Sequence, residues 1–133
     1  MSTRNYEYFG VFFDDKTREK LLRIIGAVIP ENWKIYLDHC TLVHCSNPDQ
    51  TVVPFLELFI GRTVRFNVIG YGKSKRACAF MVDLPSMNKV SHITIACAPG
   101  AKPVESNDIQ NWYPLDEPVE CWGWLGAVYK DNG

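Results

Sequence analysis

Residues 36–45 read Tyr-Leu-Asp-His-Cys-Thr-Leu-Val-His-Cys. The run is rich in strand-forming residues, and successive side chains of a β-strand point to opposite faces of the sheet. His39 and Thr41 therefore share one face, while Cys40 and Leu42 point to the other. This spacing predicts a strand that buries an apolar face and presents an imidazole beside a hydroxyl on its other face.

The same pattern occurs a second time, in the stretch Ser91-His-Ile-Thr-Ile-Ala-Cys-Ala98. Here His92 and Thr94 share a face, and Ile93 and Ile95 point the other way. If the two strands are neighbours, two histidines and two threonines meet in one site. A single histidine beside a threonine is commonly a structural pair, but two copies on alternating strands favour a catalytic site.

The rest of the sequence predicts further strands and two helices. Apolar and aromatic runs predict four more strands, at 6–13, 63–71, 77–84 and 119–130. The capping residues Asp14 and Asp15 are followed by apolar residues at helical spacing, which predicts a helix over 16–29. The buried face of this helix is predicted to consist of Leu21, Ile24, Ile25 and Val28. A second short helix is predicted over 52–60, after the capping residue Asp49.

The order of these elements indicates an α+β protein. Strands and helices do not alternate as repeated βαβ units, so antiparallel pairing is favoured. The duplicated motif predicts a two-lobed fold, in which antiparallel sheets face each other across a central cleft and the helices lie outside. The length of 133 residues fits a single domain spanning 1–133.

Composition excludes several classes of protein. Apolar residues make up 47% of the chain and charged residues 22%, which excludes a disordered chain. The formal net charge of −1 gives no general attraction to long nucleic acids, so an RNA partner would be bound at an end or as a short piece. The five cysteines are expected to be reduced core residues. With no signal-peptide run or membrane-spanning run, we expect a soluble, intracellular, cytoplasmic protein with no membrane partner.

The two motifs together resemble the signature of the two-histidine (2H) phosphoesterases. More narrowly, the chain resembles the catalytic domain of the myelin-type 2′,3′-cyclic-nucleotide 3′-phosphodiesterases. Residues 100–107, Gly-Ala-Lys-Pro-Val-Glu-Ser-Asn, are similar to the loop after the second motif in the cyclic phosphodiesterase domain of fungal and plant tRNA ligases. The remaining stretches that carry the resemblance are 8–13, 39–45 and 91–98.

The resemblance implies a 2H phosphoesterase fold and metal-independent hydrolysis of 2′,3′-cyclic phosphates, on nucleotides or RNA 3′ ends, to 2′-phosphates. It implies a place in RNA repair or tRNA splicing, no cofactor, and any kinase or ligase repair partner on a separate chain. The catalytic residues that it implies are His39, Thr41, His92 and Thr94.

Four further residues are candidates for substrate binding: Tyr8, His44, Lys102 and Ser106. His44 stands where the resembling family has an aromatic residue near the base, and Val90 where it has an arginine, which leaves base preference open. In a regular strand His44 lies on the opposite face from His39. Trp122 and Trp124 share a strand face and are expected to pack in the core.

Other functions fit the same residues. The same histidines would serve a 2′,5′-phosphodiesterase that acts on oligonucleotides, and a non-catalytic module that binds RNA ends would keep the fold. A zinc site built from His39, Cys40, His44 and Cys45 is disfavoured, because these side chains alternate between the two faces of one strand. The basic loop 73–76 is expected to be a solvated hairpin tip rather than an RNA contact.

Overall fold

A computed structural model describes residues 6–45, 53–86 and 88–129. Its strands and α-helices are, in chain order, β1 (Tyr6–Phe12), α1 (Asp15–Ile25), β2 (Lys34–Ile35), β3 (His39–His44), α2 (Val53–Glu57), β4 (Thr63–Lys73), β5 (Ala77–Val82), β6 (His92–Cys97) and β7 (Trp112–Tyr129). Two 3₁₀ helices are also formed, by Gly26–Val28 and Pro103–Asp108. The α+β class is confirmed. The predicted cap of α2 at Asp49 lies outside the described residues.

Within the described residues the strands form one antiparallel sheet in the order β2-β6-β3-β1-β7-β4-β5. Strand β5 also pairs with β6, so the sheet closes into a barrel. The predicted arrangement of two separate sheets in two lobes is not confirmed, because β3 joins the two halves by pairing with both β1 and β6. The β3–β6 junction is narrow and consists of the residue pair Cys40↔Ile93.

The apolar core fills the inside of the barrel. The polar faces of β3 and β6 therefore lie on the outer side of the sheet. The largest fully buried side chains of the core include Val11, Phe66, Val68, Phe80, Ile93 and Ile95. Burying a side chain of this size stabilises the fold by about 1.5–3 kcal/mol. Each of the five cysteines is also buried and none is joined in a disulfide, as predicted.

Helix α1 packs on the core through a narrower face than the sequence predicts. Asp14 caps it by accepting a hydrogen bond from the backbone N–H of Thr17 (2.9 Å). Leu21 is buried, but Ile24 and Val28 are exposed, contrary to the prediction. For Val28 the reason is that the α-helix ends at Ile25 and the chain continues in a 3₁₀ helix, which changes the direction of the following side chains. Within the α-helix, Leu22 and Ile25 pack on the core beside Leu21, which leaves Ile24 at the solvent-facing edge.

Two predicted strands differ in the structure. The stretch 36–45 is not one strand, because Leu37 is buried with a φ of 43° and separates β2 from β3. The last strand begins at Trp112 rather than Val119, with an irregularity in its pairing to β4 at 115–118. Within the described residues, no helix is long and apolar enough to cross a membrane.

Trp122 and Trp124 do not pack in the core, so that prediction is wrong. They are 54% and 43% exposed, while Cys121, Gly123 and Leu125 take the inward positions of β7. A Cβ on Gly123 would lie 2.2 Å from the backbone oxygen of Phe12, so the inward face of β7 has no room for a side chain there. The strand therefore turns its large rings outward.

Candidate active site

The register of β3 and β6 brings the two duplicated motifs together. Cys40 pairs with Ile93 in antiparallel orientation, and both side chains are fully buried in the core. The residues that flank this pair therefore point to the opposite face, and each histidine of one motif lies across from the threonine of the other. These four residues are His39, Thr41, His92 and Thr94.

All four line one cavity of about 290 Å³. Two of the predicted substrate-binding residues, Tyr8 and His44, line it as well. The cavity is completed by residues that are not among the predicted site residues: Glu7, Tyr36, Asp38, Asn88, Pro103, Val104 and Asn107. Asp38 had a sequence signal, since a carboxylate directly precedes the first catalytic histidine candidate, and Asn107 ends the loop that carries the family resemblance.

His39 is held from several sides. Its Nδ1 lies 2.5 Å from a carboxylate oxygen of Asp38, which accepts the ring proton. The ring stacks on those of Tyr8 and Phe12, with centroids 5.0 and 5.4 Å away. This hydrogen bond holds the pKa of the Asp38 carboxyl below its usual range, so an ionised carboxylate lies beside the ring. Nε2 is then the nitrogen that the ring offers to the cavity.

His92 has a different environment. Its side chain is 8% exposed, and its Nδ1–H donates to the backbone oxygen of Val90 (2.8 Å). A carbonyl can only accept, so this bond sets the tautomer and leaves Nε2 for the cavity. Burial, and secondarily the nearby charge of His39, lower the pKa of His92. His92 is therefore neutral near pH 7, with a lone pair on Nε2.

Thr94 is fixed by a residue from outside the sheet. Its hydroxyl lies 2.9 Å from the hydroxyl of Ser106, which is fully buried, and 3.4 Å from the backbone oxygen of Pro103. The 3₁₀ helix that carries Ser106 is tied to the β4–β5 turn by a salt bridge between Arg76 and Glu105. Ser106 therefore reaches the site through Thr94 instead of lining the cavity itself.

The prediction that His44 lies on the opposite face from His39 is wrong. In the β1–β3 pairing Phe9 is opposite Val43 and Gly10 is opposite Thr41, so Leu42 is an extra residue in β3. Such a bulge reverses the alternation beyond it. His44 therefore lies in the same cavity as His39, with its ring stacked on Tyr8.

Lys102 is not brought to the site. Its side chain is exposed and outside the cavity lining, while its backbone N–H donates to Glu105 (2.6 Å). The donors of the disfavoured zinc site do not converge either, because Cys40 faces the core. Burial raises the pKa of the Cys40 thiol to about 11, so it is protonated and a poor metal ligand.

The arrangement is suited to proton transfer on both sides of one reacting atom. One imidazole is hydrogen-bonded to a carboxylate and the other is buried and neutral, both have Nδ1 engaged, and both rings line the same cavity. Two imidazoles in complementary protonation states can act as acid and base in one step. Hydroxyl groups beside them can donate to an oxygen on which negative charge grows.

Comparison with solved structures finds similar folds, among them the crystal structure of a fungal RNA kinase. The TM-score is 0.73 and the sequence identity 16%. The match covers 98% of this chain and 47% of that one, so this chain spans about half the length of the structure that it resembles. At this identity the likeness shows a shared fold. No protein-family model and no curated protein matches the sequence.

Proposed function

We propose that this protein hydrolyses 2′,3′-cyclic phosphates of nucleotides or RNA ends to 2′-phosphates, by acid–base catalysis from two histidines. The observation that carries the proposal is the meeting of His39 and His92 in one cavity, with their Nδ1 atoms engaged by different acceptors. The carboxylate at His39 favours an acid, and the buried, neutral ring of His92 favours a base.

The reaction then follows from these roles. Nε2 of His92 removes a proton from a water molecule, and the water oxygen forms a bond to phosphorus. The bond from phosphorus to O3′ breaks on the opposite side, and Nε2–H of His39 protonates the departing O3′. A ribose 2′-phosphate and a free 3′-hydroxyl result. The hydroxyls of Thr41 and Thr94 donate to the non-bridging phosphate oxygens, where charge grows in the transition state.

The cavity also offers a place for the nucleoside. Tyr8 and His44 form a stacked pair beside His39, and burial raises the pKa of the Tyr8 phenol, so it stays a neutral donor. A base stacked there would leave its ribose next to His39. The proposal includes RNA ends as substrates and repair kinases or ligases as separate partners, because one structure of similar fold is described as that of a fungal RNA kinase.

The test is incubation with 2′,3′-cyclic nucleotides in EDTA, with the products separated against 2′- and 3′-monophosphate standards. We expect a 2′-phosphate, and losses of roughly 10²–10⁴ in rate for His39→Ala and His92→Ala. Thr41→Ala should lose roughly 10²–10³. Thr63→Ala is the matched control, because Thr63 is an exposed strand threonine outside the cavity.

Two outcomes would overturn the proposal. A 3′-phosphate product would reverse the assignment of the broken bond. No turnover by a folded protein would exclude the reaction, and a 2′,5′-linked oligonucleotide would then be tried as substrate. If neither substrate reacts but RNA with a cyclic end still binds, the site is a binding module.

A further inference from the structure

The sheet face that carries His39 continues across β1 to β7. Phe12 pairs with His39 of β3 on one side and with Trp124 of β7 on the other. Directly paired residues project from the same face, so these three side chains form one row across the sheet. Two residues further along β7, Trp122 projects from the same face. We call Trp122 and Trp124 the tryptophan pair.

The tryptophan pair is an unusual surface for a soluble domain. Its members are 54% and 43% exposed, although tryptophan is among the residues that gain most from burial. Towards the site, the ring of Phe12 lies against Gly126, where a Cβ would come within 2.9 Å of its Cδ2. The surface between the cavity and the tryptophan pair is therefore formed by an aromatic ring over a glycine, with no side chain projecting above it. Exposed aromatic rings in a row on a sheet are the usual platform on which bases of single-stranded nucleic acids stack.

Positive groups lie next to the tryptophan pair. Arg65 of β4 is directly opposite Trp122, and Lys20 of α1 donates to the backbone oxygen of Glu120 (2.6 Å). Arg65 lies 3.8 Å from the Glu120 carboxylate, but both side chains are more than half exposed. An exposed ion pair of this length is weak, so a phosphate can compete for the guanidinium.

The proposed reaction indicates on which side of the site an RNA chain would leave the cavity. Because His39 protonates the departing O3′, the ribose lies on the His39 side of the phosphorus, and the RNA chain attached to that ribose leaves on the same side. The row from His39 through Phe12 to Trp124 crosses two strand spacings, roughly 10 Å. We infer that the tryptophan pair stacks bases upstream of the cyclic end, so the preferred substrate is a single-stranded RNA several nucleotides long. This inference rests on the proposed function.

The experiment compares 2′,3′-cyclic UMP with an RNA of about eight nucleotides that ends in the same cyclic phosphate. For the wild type we expect a higher kcat/KM on the RNA. Trp122→Ala and Trp124→Ala should each lower kcat/KM on the RNA by roughly fivefold to a hundredfold, without a matching loss on the mononucleotide. Tyr113→Ala is the control, since Tyr113 is 61% exposed on the same strand but pairs with Tyr71, away from β1.

A second readout does not depend on turnover. Fluorescence anisotropy of a labelled RNA bearing a terminal 2′-phosphate should show weaker binding for the tryptophan variants, and Trp124→Phe should restore most of it. The inference is overturned if the variants bind and process the RNA like wild type, or if they lose both substrates equally. It is also overturned if they instead abolish self-association in size-exclusion chromatography, which would make the face a contact between copies. Failure of the proposed function is distinct, because the wild type would then turn over neither substrate.

Discussion

Gly10→Ala is the substitution whose effect the structure specifies most closely. Gly10 lies on β1 opposite Thr41, and a Cβ placed on it would lie 2.7 Å from the backbone oxygen of Cys40. Real Cβ atoms essentially never approach another heavy atom within 3.0 Å, and ordinary contact begins at 3.4 Å. The backbone of β3 must therefore move by about 0.3 to 0.7 Å.

The loss of stability and activity depends on the structural role of Cys40. It forms the β3–β6 pair with Ile93, and it is the neighbour of His39. Overpacking of this kind costs about 1–3 kcal/mol of folding free energy. A displacement of about 1 Å at a reacting group costs on the order of 10² in rate, so a shift below that should cost roughly tenfold.

The assay combines a thermal unfolding curve with kcat on a 2′,3′-cyclic nucleotide. Gly10→Ala should lower the Tm by about 3 to 15 °C and lower kcat more than it changes KM. Gly26→Ala is the control, because a Cβ there meets nothing within 4 Å and its φ of −54° suits alanine. That variant should be neutral or more stable by about 0.4–1 kcal/mol. Wild-type stability and activity in Gly10→Ala would refute the account of how β3 is positioned.

Three further predictions concern the acid–base pair and its supports. The base must be neutral to accept a proton, and the pKa of His92 is lowered from the ordinary histidine value of about 6.5. A pH–rate profile should therefore show activity that persists as the pH falls below 6.5. An acidic limb centred above 6.5 would contradict this. Asp38→Asn removes the negative charge that lies against Nδ1 of His39, so kcat on a 2′,3′-cyclic nucleotide should fall by roughly 10–10²; an unchanged kcat would argue that Asp38 does not support His39 in the reaction. Ser106→Ala removes the hydroxyl that fixes Thr94, so kcat should fall by roughly twofold to tenfold with little change in KM; a change in KM alone would place Ser106 on the substrate instead.

The centre of the site could be predicted from sequence because strand alternation is a local rule. The duplicated His-x-Thr spacing requires each histidine to share a face with its threonine wherever the strand is regular. That the two strands are neighbours needed the pairing of Cys40 with Ile93, which no local pattern encodes.

The remaining features depend on tertiary structure. The extra residue Leu42 reverses the face of His44, and a bulge depends on the partner strand as much as on its own sequence. The outward direction of Trp122 and Trp124 follows from the close approach of β1 to Gly123, which is also not local. The sequence predicts Ser106 as a substrate-binding residue, but the packing of its 3₁₀ helix against β6, which no local pattern encodes, buries it beside Thr94 instead.

The most direct test of the proposed chemistry compares 2′,3′-cyclic UMP with its analogue in which sulfur replaces O3′. A thiolate leaves without protonation, so the analogue needs a base but no acid. We expect His39→Ala to lose roughly 10²–10⁴ in kcat/KM on the oxygen substrate and to approach wild-type rates on the sulfur substrate, while His92→Ala stays slow on both. The reverse pattern, or equal losses for both variants on both substrates, would contradict the division of labour between the two histidines.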